Sequence, residues 1–319
     1  MKYAPPPTVT RKNLRNYYKN MKKAVFYIVL AGILWGTSGI FVHYLAPYGF
    51  SSYQMTSVRA FVSFLCIAAY ALIKDKNLFL VRLVHLPLLL GVGASLFATA
   101  SLYYSAMQLS SVSTAVVLMF TAPIYVMVFS IVFLKEKMTV TKAVGTACML
   151  IGCALVSGVV GGFRFSTAGL ILGILSGITY AAYNILTKIS LQLGVKPVSV
   201  TLYSFMFVFV ISLIFLDPKS LAGSVSASPE FTLPMLLGLG IFTFVTPYFL
   251  YTLAMRDLPA GTASALGIIE PMAATLFSVT IFGERLTLLS GIGIVLILSA
   301  VFIIGKAEGN KNNTSENPE

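Results

Sequence analysis

Ten apolar runs divide the chain, at about 24–45, 53–73, 86–106, 112–134, 140–160, 167–188, 197–216, 233–255, 261–283 and 286–305. Each is near the roughly 20 residues an α-helix needs to cross a hydrocarbon layer. The gaps between them are short and carry turn chemistry, as in Pro47-Tyr48-Gly49, Lys74-Asp75-Lys76-Asn77, Gly161-Gly162, Asp217-Pro218 and Asp257-Leu258-Pro259. The pattern predicts an all-α polytopic membrane protein of ten transmembrane helices. Residues 1–23 read as a basic N-tail, and residues 306–319 as a polar, Asn-rich tail expected to be disordered. The first run has no obvious cleavage site and leads straight into further runs, so it reads as a first spanning helix rather than a removed signal.

Composition agrees. Of 319 residues, 57% are hydrophobic and 10% charged, with a mean hydropathy of +0.89. A soluble domain carries about a quarter of its residues as charges. The expected solvent is therefore a lipid bilayer. The net charge of +12 raises a nucleic-acid reading, which position answers: the basic residues lie before the first run and in the gaps, with no basic helix face. If the N-terminus is cytoplasmic, 18 of the 22 basic residues fall on the inside and 3 on the outside, with Arg59 inside a run. The excess of lysine and arginine in cytoplasmic segments then puts both termini inside a plasma membrane of the bacterial inner-membrane type.

The chain also repeats itself. Tyr103-Tyr104-Ser105-Ala106-Met107 matches Tyr251-Thr252-Leu253-Ala254-Met255 at an offset of 148. The same offset aligns Pro123 with Pro271, Glu136-Lys137 with Glu284-Arg285, and Gly145 with Gly293. Gly32-Ile33-Leu34-Trp35-Gly36 and Gly173-Ile174-Leu175-Ser176-Gly177 match at an offset of 141. Residues 24–160 and 167–305 thus form two five-helix repeats. Five is odd, so the second half enters the membrane inverted relative to the first. Inverted-topology repeats are the plan of many secondary transporters, whose substrate site lies near the midplane between the halves.

These residues resemble the drug/metabolite transporter superfamily, in its EamA-type branch. The resemblance covers about 24–305 and rests on Gly32–Gly36, on Arg59-Ala60-Phe61, and on a paired signature. That signature runs from Ala122-Pro123 to Lys135-Glu136-Lys137, and again from Glu270-Pro271 to Gly283-Glu284. It implies a ten-helix fold that moves small metabolites by alternating access, and it fixes no substrate.

Among the acidic residues only Glu270 lies deep in a run, ~13 Å from its cytoplasmic end at a rise of 1.5 Å per residue. Arg59 is the basic residue well inside a run, ~9 Å from the outer end. An unpaired charge there is costly. An interaction between the two across the halves is expected, either as a fixed ion pair or as part of a substrate site; an unpaired Glu270 in a cavity would be able to carry a proton. Trp35, Ser38, Tyr103, Tyr180, Asn184, Tyr203 and Tyr251 are candidate cavity residues, against the alternative that each is simply packed. Aromatic walls with a charged group suit a cationic or zwitterionic solute. Pro123 and Pro271 each remove a backbone hydrogen bond at repeat-equivalent places, giving either a static kink or a bend that gates. Glu136 and Glu284 are expected to favour the positive N-terminus of the helix that follows each. Cys66, Cys148 and Cys153 form no CxxC, His43 and His85 lie far apart in sequence, and no metal or cofactor is expected. A membrane-embedded enzyme would need acidic, His or Cys residues clustered at one membrane face, and a channel a continuous polar pore. The sequence shows only scattered residues, so transport of a small molecule is the leading expectation.

Overall fold

The computed structural model describes residues 11–110, 112–136, 138–158, 166–283 and 285–310. All regular structure in them is helical. Fifteen α-helices follow in order: α1 (Arg11–Gly36), α2 (Ser38–Leu45), α3 (Ser52–Lys74), α4 (Leu86–Leu109), α5 (Val112–Met119), α6 (Ala122–Phe129), α7 (Val140–Val156), α8 (Thr167–Gln192), α9 (Pro197–Ser212), α10 (Pro218–Ser226), α11 (Pro229–Gly240), α12 (Thr246–Asp257), α13 (Ala260–Leu266), α14 (Ile269–Phe282) and α15 (Leu288–Asn310). Several pairs run on as one span. Among the described residues nine spans are long and apolar enough to cross a membrane, and α7 is a shorter apolar helix of 17 residues. Against the ten spanning helices expected from sequence, the described residues thus give nine spans and one shorter apolar helix.

Two boundaries differ from expectation. The basic segment from Arg11 onward is already helical and continues into the first span. The last helix runs to Asn310, beyond the expected end at 305. Residues 1–10 and 311–319 lie outside the described residues, as does Glu284.

The packing carries the inverted repeat into three dimensions. α4 of the first half packs on α8 of the second, and the repeat-equivalent pair has α12 of the second half packed on α1 of the first. Likewise α5 and α6 pack on α8, while α14 packs on α1. The self-equivalent pairs α3 with α9 and α7 with α15 complete the set. This is the contact pattern that a twofold axis in the membrane plane produces. The start of the first span and the end of the last meet on one face, here called the terminal face, where a methyl group at Gly305 would lie 3.8 Å from Val25 Cγ1.

Hydrocarbon offers no hydrophobic drive to bring helices together, so close contact depends on small residues that let backbones approach. A methyl group at Gly152 of α7 would lie 2.8 Å from Gly293 O, and one at Gly293 of α15 2.7 Å from Gly152 O. Backbone meets backbone there and nothing can yield. Replacing Gly152 by Leu is expected to cost about 1–3 kcal/mol through overpacking, read as a lower melting temperature in detergent. Gly291→Ala, where no atom lies within 4 Å, serves as the control and should melt like wild type. Equal melting of Gly152→Leu and wild type would show that this contact is not a close one.

Candidate functional site

Where a spanning helix breaks, its backbone groups need a new partner or a polar space. The breaks here share a region. Thr37 separates α1 from α2, and its Oγ1 donates to Leu34 O at 2.7 Å while its amide donates to the same carbonyl. Phe120 and Thr121 separate α5 from α6, and Gly267 and Ile268 separate α13 from α14. In the last two breaks the cause is proline: Pro123 is the second residue of α6 and Pro271 the third of α14, and neither has an amide to carry the ladder across. The two prolines therefore head half-helices rather than kink continuous ones.

The span of α11 and α12 widens into a π-turn at Ile241–Val245, where Thr246 N donates to Ile241 O. Pro247 follows at once and cannot donate to Thr243 O, which is one of the recognised causes of such a bulge. Its repeat equivalent is Thr99 in the unbroken α4. The two halves thus differ where they face one another: α1–α2 is broken but α8 is not, and α11–α12 is bulged but α4 is not.

A cavity of about 140 Å³ lies at this junction. Trp35 and Ser38 reach it from the break between α1 and α2, Arg59 and Thr56 from α3, and Tyr103 and Tyr104 from α4. Tyr180 of α8, Thr243, Phe244 and Tyr248 around the π-turn, and Glu270 at the head of α14 close it. Six of the nine residues proposed from sequence therefore share one cavity: Glu270, Arg59, Trp35, Ser38, Tyr103 and Tyr180.

The two charges face the same space without touching. Arg59 Nη2 donates to Thr56 Oγ1 at 3.2 Å, and the guanidinium lies 4.8 Å from the centre of the Phe244 ring. A cation over an aromatic face is favoured electrostatically. Arg59 Nε is buried without a hydrogen-bond partner, and so is Trp35 Nε1. Glu270 stands in the first turn of α14, where the positive end of the half-helix favours a carboxylate. Among the described residues no ion pair joins it to Arg59 and no hydrogen bond reaches its carboxylate.

Three of the residues proposed from sequence stand elsewhere. Tyr251 is fully buried below the cavity, on the side of the terminal face; its hydroxyl donates to Asn184 Oδ1, and Asn184 Nδ2 donates to Tyr180 O at 2.8 Å. This bond ties α12 to α8 beneath the cavity instead of lining it. Tyr203 is farther off, donating from its hydroxyl to Phe79 O at 2.7 Å.

Between the cavity and the terminal face lies a layer of buried side chains. Met255, Leu258, Ala260 and Leu266 are fully buried there. Lys188, 8% exposed, donates from Nζ to Met255 O at 2.6 Å and to Leu258 O at 2.7 Å, closing the carbonyl end of α12. Glu136 crosses from the first half: its Oε1 accepts from Ala260 N at 2.9 Å, at the start of α13. The expectation that Glu136 serves the helix after it is corrected here. That helix, α7, is capped by Thr139, whose Oγ1 accepts from Lys142 N at 3.4 Å, leaving Glu136 available to the other half.

Sequence reasoning missed Phe244, Tyr248, Thr56, Thr243 and Lys188. Pro247 was a usable signal for the first two, being a proline without a repeat counterpart. Lys188 stood at the very end of a predicted run and read as a loop charge.

Fold and site together define a multi-pass membrane transporter built from two inverted halves. The model of the EamA-like transporter family matches residues 22–158 and again 167–306, and the chain belongs to that family. An "Uncharacterized transporter" of Archaeoglobus fulgidus is 29% identical over 296 residues, covering 90% of this chain and 98% of that protein. The "Uncharacterized transporter YwfM" of Bacillus subtilis is 26% identical, covering 91% and 96%. The "Uncharacterized inner membrane transporter YicL" of Salmonella typhimurium is 25% identical, covering 89% and 95%. A solved structure titled "Crystal structure of protein" superimposes with a TM-score of 0.73 at 16% identity, over 93% of this chain and 99% of that one, a likeness of fold.

The position of Tyr251 beneath the cavity yields an expected outcome. Tyr251→Phe leaves Asn184 Oδ1 buried without its donor, a loss of about 1–3 kcal/mol, visible as a lower melting temperature. The shift should shrink when Asn184→Leu is added, since both partners are then apolar. An additive double variant would show that the two residues do not act together.

Proposed function

We propose that the chain is a secondary transporter and not an enzyme, moving a small metabolite across the plasma membrane by alternating access. The observation that carries this reading is a cavity between the halves that holds unmatched polar groups of both signs. Buried polar groups nearly always find partners, so the Glu270 carboxylate, Arg59 Nε and Trp35 Nε1 call for partners that the protein does not supply. A solute with an amine and a carboxylate fits both ends, with the aromatic walls of Trp35, Tyr103, Tyr180 and Phe244 taking an apolar side. Amino acids, amines and drug-like solutes of modest size are the substrate class.

The buried layer at the terminal face, with its cross-links, supports a cavity that opens toward the other side. With both termini cytoplasmic, that is the outward-facing arrangement. Glu136 on Ala260 and Lys188 on the end of α12 are then contacts that must part for the cavity to reach the cytoplasm. Glu270 is the group suited to carry a coupled proton, because its carboxylate faces the cavity without a fixed counter-ion.

A melting screen of purified protein in detergent against amines, amino acids, organic acids and nucleotide sugars tests this reading. An amine- or amino-acid-class ligand at 100 times its Kd should stabilise wild type by about 2.7 kcal/mol, and Glu270→Gln should lose most of that shift. Stabilisation that Glu270→Gln retains in full would remove Glu270 from the site. Transport by Glu270→Gln with the pH dependence of wild type would remove its proton role.

A further inference from the structure

A second hollow, of about 360 Å³, lies on the terminal face, between the α3–α4 link and the α8–α9 link. The first link belongs to the first half and the second to the other half. It is a fixed structure rather than a loose loop. Leu78 O accepts from Ser199 Oγ and Phe79 O from Tyr203 Oη, each at 2.7 Å, and Leu78 itself is buried. Lys196 Nζ meets Asp75 Oδ2 at 3.0 Å across the two links.

Three basic side chains line the hollow: Arg82, His85 and Lys196. The hydrogen bond from Lys196 holds the Asp75 carboxyl below its ordinary range, so Asp75 stays ionised through neutral pH and balances Lys196. Arg82 is left without a compensating charge: among the described residues its guanidinium has no ion pair or hydrogen bond, and the His85 ring has none either. Ser199 joins them from the first turn of α9, whose N-cap residue, Lys196, makes no side-chain bond to the helix start. The open amides and the dipole of a helix start favour an anion at this point.

Beside the cations stand three apolar side chains with nothing over them. Leu80, Leu83 and Val84 are 76%, 80% and 76% exposed. In a link at the membrane surface such side chains enter the acyl region and set the neighbouring Arg82 and His85 at headgroup depth. Leu83 and Val84 open the apolar span Leu83–Leu109, so the hollow borders the bilayer and a lipid headgroup reaches it without leaving the membrane.

We propose that this hollow binds the phosphate of an anionic phospholipid headgroup, with Arg82 and Lys196 as its charged lining, the His85 ring beside them, and Leu80, Leu83 and Val84 against the acyl chains. The bound lipid would bridge a link of each half on the closed face. The proposal is independent of what the central cavity carries.

Native mass spectrometry of the full chain in neutral detergent tests it, with phosphatidylglycerol as the probe and phosphatidylcholine as the uncharged control. Phosphatidylglycerol should bind wild type in preference to phosphatidylcholine, and Arg82→Gln should weaken it roughly fivefold, the effect of one cation near a membrane surface. Arg256→Gln should leave binding unchanged, because Arg256 already pairs with Asp257 at 3.2 Å. Arg82 is exposed, and an unchanged melting temperature will confirm that Arg82→Gln folds. Three results overturn the proposal: equal binding of the two lipids, an equal loss in Arg256→Gln, or full retention in Arg82→Gln. Glycerol 3-phosphate alone competing at the same concentrations as the lipid would overturn the lipid source and leave a soluble phosphate ester in its place.

Discussion

A peptide group without a partner in hydrocarbon costs several kcal/mol, and that constraint orders the whole molecule. It makes every crossing element a helix. It also dictates where a helix is allowed to fail, because broken ends must face either protein or a polar space. The breaks at Thr37, at Phe120 and Thr121, and at Gly267 and Ile268, with the π-turn before Pro247, all obey it. All four bring side chains to one cavity: Trp35 and Ser38, Phe120, Glu270, and Phe244 and Tyr248. The polar interior and the irregular backbone are thus two sides of one arrangement, each making the other tolerable.

The close packing around that interior follows from the same economy of small residues. Gly32 and Gly36 let α1 approach the start of α14, and their repeat equivalents Gly173 and Gly177 let α8 approach α5 and the residues after it. The contacts are not identical. Gly36 faces Ala273, while Gly177 faces Leu118 O and Thr121 Oγ1. By the offset of 148 Ala273 corresponds to Tyr125, which also meets Gly177, at 3.2 Å but through its ring, so the equivalent contacts share a partner and differ in how closely the backbones approach. The halves are alike in plan and unlike in setting, and the cavity occupies the difference.

Much of this was open to reading in the sequence, and the reason is physical. Spanning length, gap charge and the collinear match of Tyr103–Met107 with Tyr251–Met255 are properties of contiguous residues, which a sequence preserves. Depth served nearly as well, since a charge inside an apolar run is conspicuous: Arg59 and Glu270 stood out and do share a cavity. What escaped was direction. Tyr203, Asn184 and Tyr251 lie at fitting depths but turn toward Phe79, Tyr180 and one another, and no periodicity announces which way a tyrosine faces in a helix buried on most sides. Cross-half capping escaped as well. Glu136 sits three residues before a helix that Thr139 already caps, and only the fold brings Ala260 within its reach.

Of the two charges in the central cavity, Arg59 comes from the first half and Glu270 from the second. At the offset of 148 Glu270 corresponds to Ala122, and no residue from 200 to 207, where the counterpart of Arg59 falls, is charged. Two copies of the first half would bring two arginines and no acid to the axis; two copies of the second would bring two acids and no arginine. A cavity with one charge of each sign is therefore out of reach for a symmetric dimer of either five-helix unit. Carrying both units in one chain lets the halves differ, and a bipolar interior is what that difference makes available.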